Sequence, residues 1–278
     1  MSQTPKHRST LDRRLVLLAA FLLALLPVAA GAAAPAPDAA GLEIVVNVPA
    51  GELAVLQDGV TVRTYPVTVG VRGHATPVGE FNLTRTVWNP WWHPPNSAWA
   101  RNKRPQPPGP NNAMGRAKLY FKPLYFIHGT AETDKLGRPA SHGCVRMANE
   151  DVIELAKLVH RYATPDVAPE TLAALEADPK ETKEFGLDRP VPLRIVYELV
   201  EVRGNQVVVH PDVYRRVSRD DLTEQVVLAL AEHGESVLQV DRAHVAELVK
   251  DVHRDGGTLS VDRLLAGPAE SAVAAAGR

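Results

Sequence analysis

Ser141-His142-Gly143-Cys144-Val145-Arg146-Met147 decides how this chain is read, because Cys144 is the only cysteine among its 278 residues. A free cysteine is most often a buried apolar filler. The N-terminus argues against that reading here. Lys6, Arg8, Arg13 and Arg14 form a basic region, and Leu15 to Leu26 an unbroken apolar run. Val28-Ala29-Ala30 or Ala30-Gly31-Ala32 then offers a small-residue cleavage site, the order of an export signal. In an oxidising compartment cysteines are normally paired or absent. A lone thiol two residues from a histidine is therefore a candidate nucleophile.

The apolar run is shorter than the ~20 residues that span a bilayer, so a cleaved signal peptide over residues 1–32 is expected rather than a retained anchor. Arg13-Arg14 also permits the twin-arginine route. Loss of this segment takes the formal charge from −1 to about −4, which leaves no basic excess to suggest nucleic acid. Residues 33–41, with Pro35 and Pro37 among alanines, read as a linker. The remaining chain is long enough for one sizeable domain with an appendage, or for two small domains.

Downstream, the pattern is that of short strands. Leu42, Ile44, Val46 and Val48 alternate with Glu43, Val45 and Asn47, as in a strand covered on one face. Asp58-Gly59 is a hairpin signal between Leu53–Leu56 and Val60–Val69. Residues 88–110 break the pattern, holding all four tryptophans (Trp88, Trp91, Trp92, Trp99) with Pro90, Pro94, Pro95, Pro105, Pro107, Pro108 and Pro110. Such a segment is neither helix nor central strand. It is expected to be an ordered loop that walls a cleft, or one whose tryptophans plug the side of the core. Leu119 to Ile127 is β-rich and delivers His128-Gly129-Thr130. After the cysteine motif, Asn149 is a plausible helix N-cap, and Val152, Leu155, Ala156, Val159 and Tyr162 recur at helical spacing. Residues 164–190 read as an acidic, proline-punctuated insertion. Val191–Val202 and Gln206–Val209 read as a closing hairpin, and Asp221–His233 and Arg242–Arg254 as helices of a C-terminal extension over residues 216–266. A disordered tail from residue 267 is expected.

A thiol becomes a strong nucleophile when a neighbouring imidazole raises its thiolate fraction. His142 and His128 compete for that role: the first is adjacent in sequence, and only the fold can bring the second close. Gly143 permits φ > 0 and close approach of a carbonyl, so backbone N–H groups around Gly143 and Cys144 are candidates for an oxyanion site. His128, His142 and Cys144 are also acceptable zinc ligands, but the short paired spacing of structural zinc sites is missing. No metal is expected. Arg146 suits either a clamp on a substrate carboxylate or a structural ion pair.

His128-Gly129-Thr130 followed by Ser141-His142-Gly143-Cys144-Val145-Arg146-Met147 resembles the signature of the L,D-transpeptidase (YkuD-like) catalytic domain. Tyr65-Pro66-Val67, Val69-Gly70 and Thr76-Pro77-Val78-Gly79-Glu80-Phe81 resemble that family's upstream strands. Asn89-Pro90, Trp92, Pro94-Pro95 and Asn111 to Gly115 resemble the loops of its larger periplasmic members. The resemblance covers about residues 42–215.

It implies a mainly-β fold, a mixed-strand β-sandwich with one helix after the catalytic cysteine. It also implies peptidoglycan crosslinking without a cofactor. Cys144 would attack the L-centre carbonyl of the third residue of a tetrapeptide stem, release D-alanine and form a thioester. An amine of a second stem or of an envelope lipoprotein would resolve it. His128 carries over as the general base and acid, His142 as support of the oxyanion site, and Ser141 as an orienting group. Gly129 or Thr130 would fix the His128 tautomer through a backbone carbonyl. Arg146, Trp92 and Thr130 are the candidates for substrate contact, and carbapenem-type β-lactams the expected inhibitors. Hydrolysis of the same bond, by an L,D-carboxypeptidase or amidase, and a non-catalytic wall-binding module are the alternatives. Arg146 stands where another branch of the family has asparagine. Neither residues 164–190 nor the C-terminal helices belong to the minimal domain.

Overall fold

The computed structural model describes residues 41–234 and 240–266; the expected export segment and C-terminal tail lie outside them. An eight-stranded mixed sheet dominates. In chain order its strands are β1 (Leu42–Asn47), β2 (Glu52–Gln57), β3 (Val60–Pro66), β5 (Gly79–Trp88), β6 (Ala117–Lys122), β7 (Tyr125–Thr130), β9 (Val145–Ala148) and β10 (Lys183–Val196). Side by side they run β3-β2-β1-β10-β5-β6-β7-β9. The pairs β1–β10 and β7–β9 are parallel, the rest antiparallel. A small parallel pair, β4 (Val69–Gly70) with β8 (Pro139–Ser141), lies before the cysteine motif. This is the mostly-β, mixed-strand architecture expected, with the sandwich strands gathered into one large sheet.

Alternation does the work in β1, where Leu42, Ile44 and Val46 are buried and their neighbours half-buried. The β2–β3 hairpin turns at Asp58-Gly59, both at positive φ (51° and 79°), as a primed two-residue turn requires. The helix α1 (Asn149–Ala163) buries Val152, Leu155, Ala156 and Val159 in the main core. Asn149 does not cap it: the cap position is Ala148, with no side-chain bond. The Asn149 side chain is turned inward instead. Its Oδ1 accepts from Arg116 N–H (3.0 Å) and its Nδ2 donates to Pro110 O (3.0 Å). It thereby braces the loop before β6 against α1.

Residues 164–190 are built into the sheet. They form α2 (Pro169–Ala177) and the first half of β10, where Lys183 to Gly186 pair with β5. Asn89 locks them in place. Its Nδ2 donates to Leu175 O, Asp178 O and Glu181 O at 2.8–2.9 Å, and its Oδ1 accepts from Arg116 Nε at 2.9 Å.

Val191–Val202 does not form one arm of a hairpin. Its first part ends β10 in the large sheet, and its last part is β11 (Val200–Arg203) in a separate one. There β11, β12 (Gln206–Val209) and β13 (Gly257–Ser260) pair in that order. They share a second core with α3 (Arg219–Glu232), α4 (Arg242–Val249) and α5 (Val261–Leu265). Ser218 and Asp221 close α3 with a capping box, each side chain bonded to the other's backbone N–H. The C-terminal part is therefore helical with a small sheet of its own. No helix among the described residues is long and apolar enough to cross a membrane.

Candidate active site

Parallel pairing of β7 with β9 sets Ile127 beside Val145 and His128 beside Arg146. Alternation then divides the side chains into two sets. Ile127, Val145 and Met147 are fully buried in the core with α1. Phe126, His128, Cys144 and Arg146 face the other way and line a cleft of about 470 Å³. Lys118 and Tyr120 of β6, in register with His128 and Phe126, join them there. The strand ladder thus brings His128 and Cys144 to one wall despite their separation in sequence.

Cys144 follows a sharp turn. Gly143 has φ +108°, and a side-chain carbon there would stand 2.8 Å from Tyr125 Cε1, so only glycine fits. Ser141 is buried and holds the turn: its hydroxyl donates to Cys144 O (2.6 Å) and accepts from Gly143 N–H (3.1 Å). In this arrangement the Gly143 N–H of the expected oxyanion site is engaged by Ser141. The half-buried Cys144 thiol donates to Leu124 O at 3.6 Å, a long contact.

Cys144 and His128 are both neutral at rest. Burial pushes the Cys144 thiol up, against the pull of the Phe126 backbone and of Arg146 and Lys118. Burial, with Arg146 and Lys118 adding to it, takes His128 down to about 3. Gly129 O lies 2.8 Å from His128 Nδ1, and a carbonyl only accepts, so Nδ1 carries the proton and Nε2 keeps its lone pair. One cleft thus holds a neutral thiol and a neutral imidazole with a free Nε2.

The remaining candidates separate. His142 is exposed, not buried beside the thiol; its ring stacks on Trp99 (4.2 Å, 15°) and lies 4.9 Å from His74. Burial, His74 and Arg146 hold it below the usual histidine range. Arg146 pairs with Glu132 at 3.0 Å, while its buried Nε has no hydrogen-bond partner. The structural ion pair weighed for it is thus present. Thr130 is buried, accepts from Glu132 N–H, and lines a second, adjoining pocket of about 360 Å³ with Trp92, Trp99 and Arg146. Gly129 contributes its carbonyl and its lack of a side chain, since a carbon there would meet Asn149 Oδ1 at 2.4 Å.

The tryptophan segment does both things weighed for it, although its first residue, Trp88, ends the central strand β5 because it pairs with Ala117 of β6. Trp88 is fully buried and donates to His160 Nε2 (3.1 Å), and Trp92 is buried and bridged to Gln106. Trp91 and Trp99 stay 47% and 40% exposed and wall the cleft. Sequence reasoning missed Tyr125, Lys118, Glu132 and His74 as neighbours of the motif. For β6 the signal existed, since a strand paired to the His128 strand must present residues to the same face. For His74 none did. Among the described residues no three His, Cys, Asp or Glu side chains converge to hold a metal ion.

A family model described as the L,D-transpeptidase catalytic domain (YkuD) matches residues 42–209. The chain belongs to the L,D-transpeptidase catalytic domain family. It is similar to a probable L,D-transpeptidase, ErfK/SrfK, of Escherichia coli strain K12: 30% identical over 196 residues, 63% of this chain and 63% of that relative. A putative L,D-transpeptidase YkuD of Bacillus licheniformis is 32% identical over 133 residues, 48% of this chain and 69% of the relative. The chain spans 52% to 65% of the length of several such curated relatives. Among solved structures, the catalytic domain of an E. faecium L,D-transpeptidase has 14% identity and a TM-score of 0.36, over 56% of this chain and 96% of that one. L,D-transpeptidase 3 from Mycobacterium tuberculosis, in complex with a faropenem-derived adduct, has 13% identity and a TM-score of 0.37, over 56% and 60%. The family match ends at β12, so the rest of the second core lies beyond it.

Proposed function

We propose that this member of the L,D-transpeptidase family is an exported cysteine acyltransferase. It exchanges the terminal D-alanine of a peptidoglycan tetrapeptide stem for an amine acceptor. The observation that carries this reading is the shared face of Cys144 and His128, set by the β7–β9 register and opening on a peptide-sized cleft. Export is supported by the order of the N-terminal segment.

The protonation states dictate the first step. Cys144 is a thiol at rest, so its proton passes to the free Nε2 of His128 as sulfur bonds to the stem carbonyl carbon. The imidazolium so formed sits in a site that disfavours charge, and returns the proton to the departing D-alanine nitrogen as the C–N bond breaks. A thioester on Cys144 remains. The acceptor amine then attacks its carbonyl, His128 takes the amine proton, and the thiol leaves with it. Arg146 lines the cleft, and its guanidinium, held by Glu132 through Nη1, is the candidate to meet a substrate carboxylate. Trp91 and Trp99 line the cleft, and closing over a bound stem they would exclude water and favour the amine over hydrolysis. The strained lactam of a carbapenem presents an equivalent acyl carbon to the same thiol.

Purified disaccharide-tetrapeptide, incubated with and without an added amine acceptor and resolved by mass, tests the assignment. A crosslink between stems or an amine adduct with release of D-alanine is expected. Tripeptide with free D-alanine under every condition would make the enzyme a hydrolase. Intact substrate after prolonged incubation with reduced Cys144 would overturn the reading.

A further inference from the structure

Tyr214 lies beyond residue 209, where the family match ends, yet its hydroxyl reaches the loop beneath the catalytic turn. The phenol is buried, accepts from Thr76 N–H (2.9 Å) and donates to Gly70 O (3.0 Å). It therefore pinches the two ends of the 70–76 loop together. Gly70 N–H donates to Thr76 Oγ1 (2.8 Å) inside the same pinch, and a side-chain carbon on Gly70 would meet His74 O at 2.0 Å. The loop has no room to relax inward.

Its other side touches the site. Val71 N–H donates to Ser141 O (3.0 Å), and the His74 ring lies 4.9 Å from that of His142. Ala75 O and His74 O come within 3.4 and 3.5 Å of where a Gly143 side-chain carbon would stand. The loop is thus the floor under Ser141, His142 and Gly143.

Tyr214 is itself held from the C-terminal side. Its ring stacks on Tyr197 (5.4 Å) under the Arg216 guanidinium (4.8 Å), and its N–H donates to the Tyr197 hydroxyl (2.8 Å). That hydroxyl donates to Asp212, whose carboxylate also accepts the Arg216 and Val217 N–H groups. Tyr197 packs against both cores. One continuous set of contacts leads from the second core to the turn that aims Cys144.

We propose that Tyr214 is a positioning residue for acylation: through the 70–76 loop it fixes the height of the Ser141–Cys144 turn against the cleft. The proposal rests on the acyl-transfer reading above. It makes the C-terminal extension part of the catalytic apparatus rather than an appendage. Small displacements of a reacting group cost large factors in rate while leaving binding nearly untouched. Tyr214→Phe keeps the stacked ring and deletes both loop bonds, so acylation should slow by about ten- to a hundredfold with the apparent affinity little changed.

The test follows acylation of the full chain by a carbapenem, by stopped-flow absorbance, at a temperature well below the melting point of every variant. Wild type is the control: no wild-type adduct would sink the acyl-transfer reading itself, a separate result from the one sought. Val226→Ala, in the second core, should lower stability and leave the acylation rate within about twofold of wild type. Thr76→Val, which removes the acceptor of the Gly70 N–H, should slow acylation in the same sense as Tyr214→Phe and serves if that variant does not fold. Ring NMR signals of His74 and His142 should shift in the slowed variant, since these rings stand on the displaced loop. Folded Tyr214→Phe or Thr76→Val acylating at the wild-type rate would overturn the proposal. So would Val226→Ala slowing acylation as much as they do.

Discussion

The neutrality of His128 carries a stability consequence that a change of pH exposes. In the fold this ring is held at about 3, against 6.5 when exposed. Below pH 6.5 the unfolded chain takes up a proton that the folded chain refuses, so stability falls as pH falls and is fully retained above that value. Each pH unit below 6.5 costs about 1.4 kcal/mol, so acidification from about pH 7.5 to pH 5 costs about 2 kcal/mol from His128 alone. His160 adds a comparable loss. Its Nε2 lies against the Trp88 indole N–H and the Thr86 hydroxyl, its Nδ1 against Thr164 Oγ1, and burial takes it down to about 4. Protonating Nε2 would remove the acceptor that the Trp88 N–H uses. The two histidines together predict a loss of about 4 kcal/mol over this interval. Urea unfolding of wild type and His128→Asn at several pH values measures it, because asparagine keeps a donor for Gly129 O and cannot titrate. The variant should lose about 2 kcal/mol of the wild-type pH dependence over this interval. Equal pH dependence in the two proteins would refute a neutral buried His128, and with it the resting thiol–imidazole pair.

Gly143→Ala should cost about 2 kcal/mol or more of stability and most of the acylation rate, because φ +108° is strained for alanine and Tyr125 Cε1 stands 2.8 Å away; thermal melts and carbapenem kinetics check both. Asn89→Ala should destabilise by about 3 kcal/mol or more, since it strands carbonyls of α2 and the following turn and the Arg116 Nε; chemical denaturation reads this directly. His128→Ala should depress acylation further than His142→Ala, because His128 holds the free base and His142 is stacked on Trp99; the reverse order in stopped-flow rates would reassign the base.

What the sequence made legible was local. The Asp58-Gly59 turn, the alternation of β1 and the amphipathic α1 each follow from neighbouring residues, and so does the unusual Ser-His-Gly-Cys turn. The split of Val191–Val202 between two sheets did not, because nothing in that run marks Tyr197 as the point where the chain leaves one core for the other. Asn149 looks like a cap in isolation. It is drawn inward by the Arg116 N–H and the Pro110 carbonyl, partners far away in sequence. Residues 164–190 read as an acidic insertion outside the minimal domain, yet their carbonyls are the acceptors that Asn89 needs. At the site, the resting protonation states were the least legible feature. A thiol beside histidines suggests an activated thiolate. Only burial, and the way β7 and β9 enclose the pair, reverses that expectation.

The central claim is that Cys144 is the acyl carrier, and intact-mass measurement after exposure to a carbapenem tests it most directly. One adduct mass per reduced chain, mapped to the peptide containing Cys144 and absent from a folded Cys144→Ala variant, is the predicted result. An unmodified wild-type chain with its thiol shown to be free, or an adduct that persists in Cys144→Ala, would contradict it.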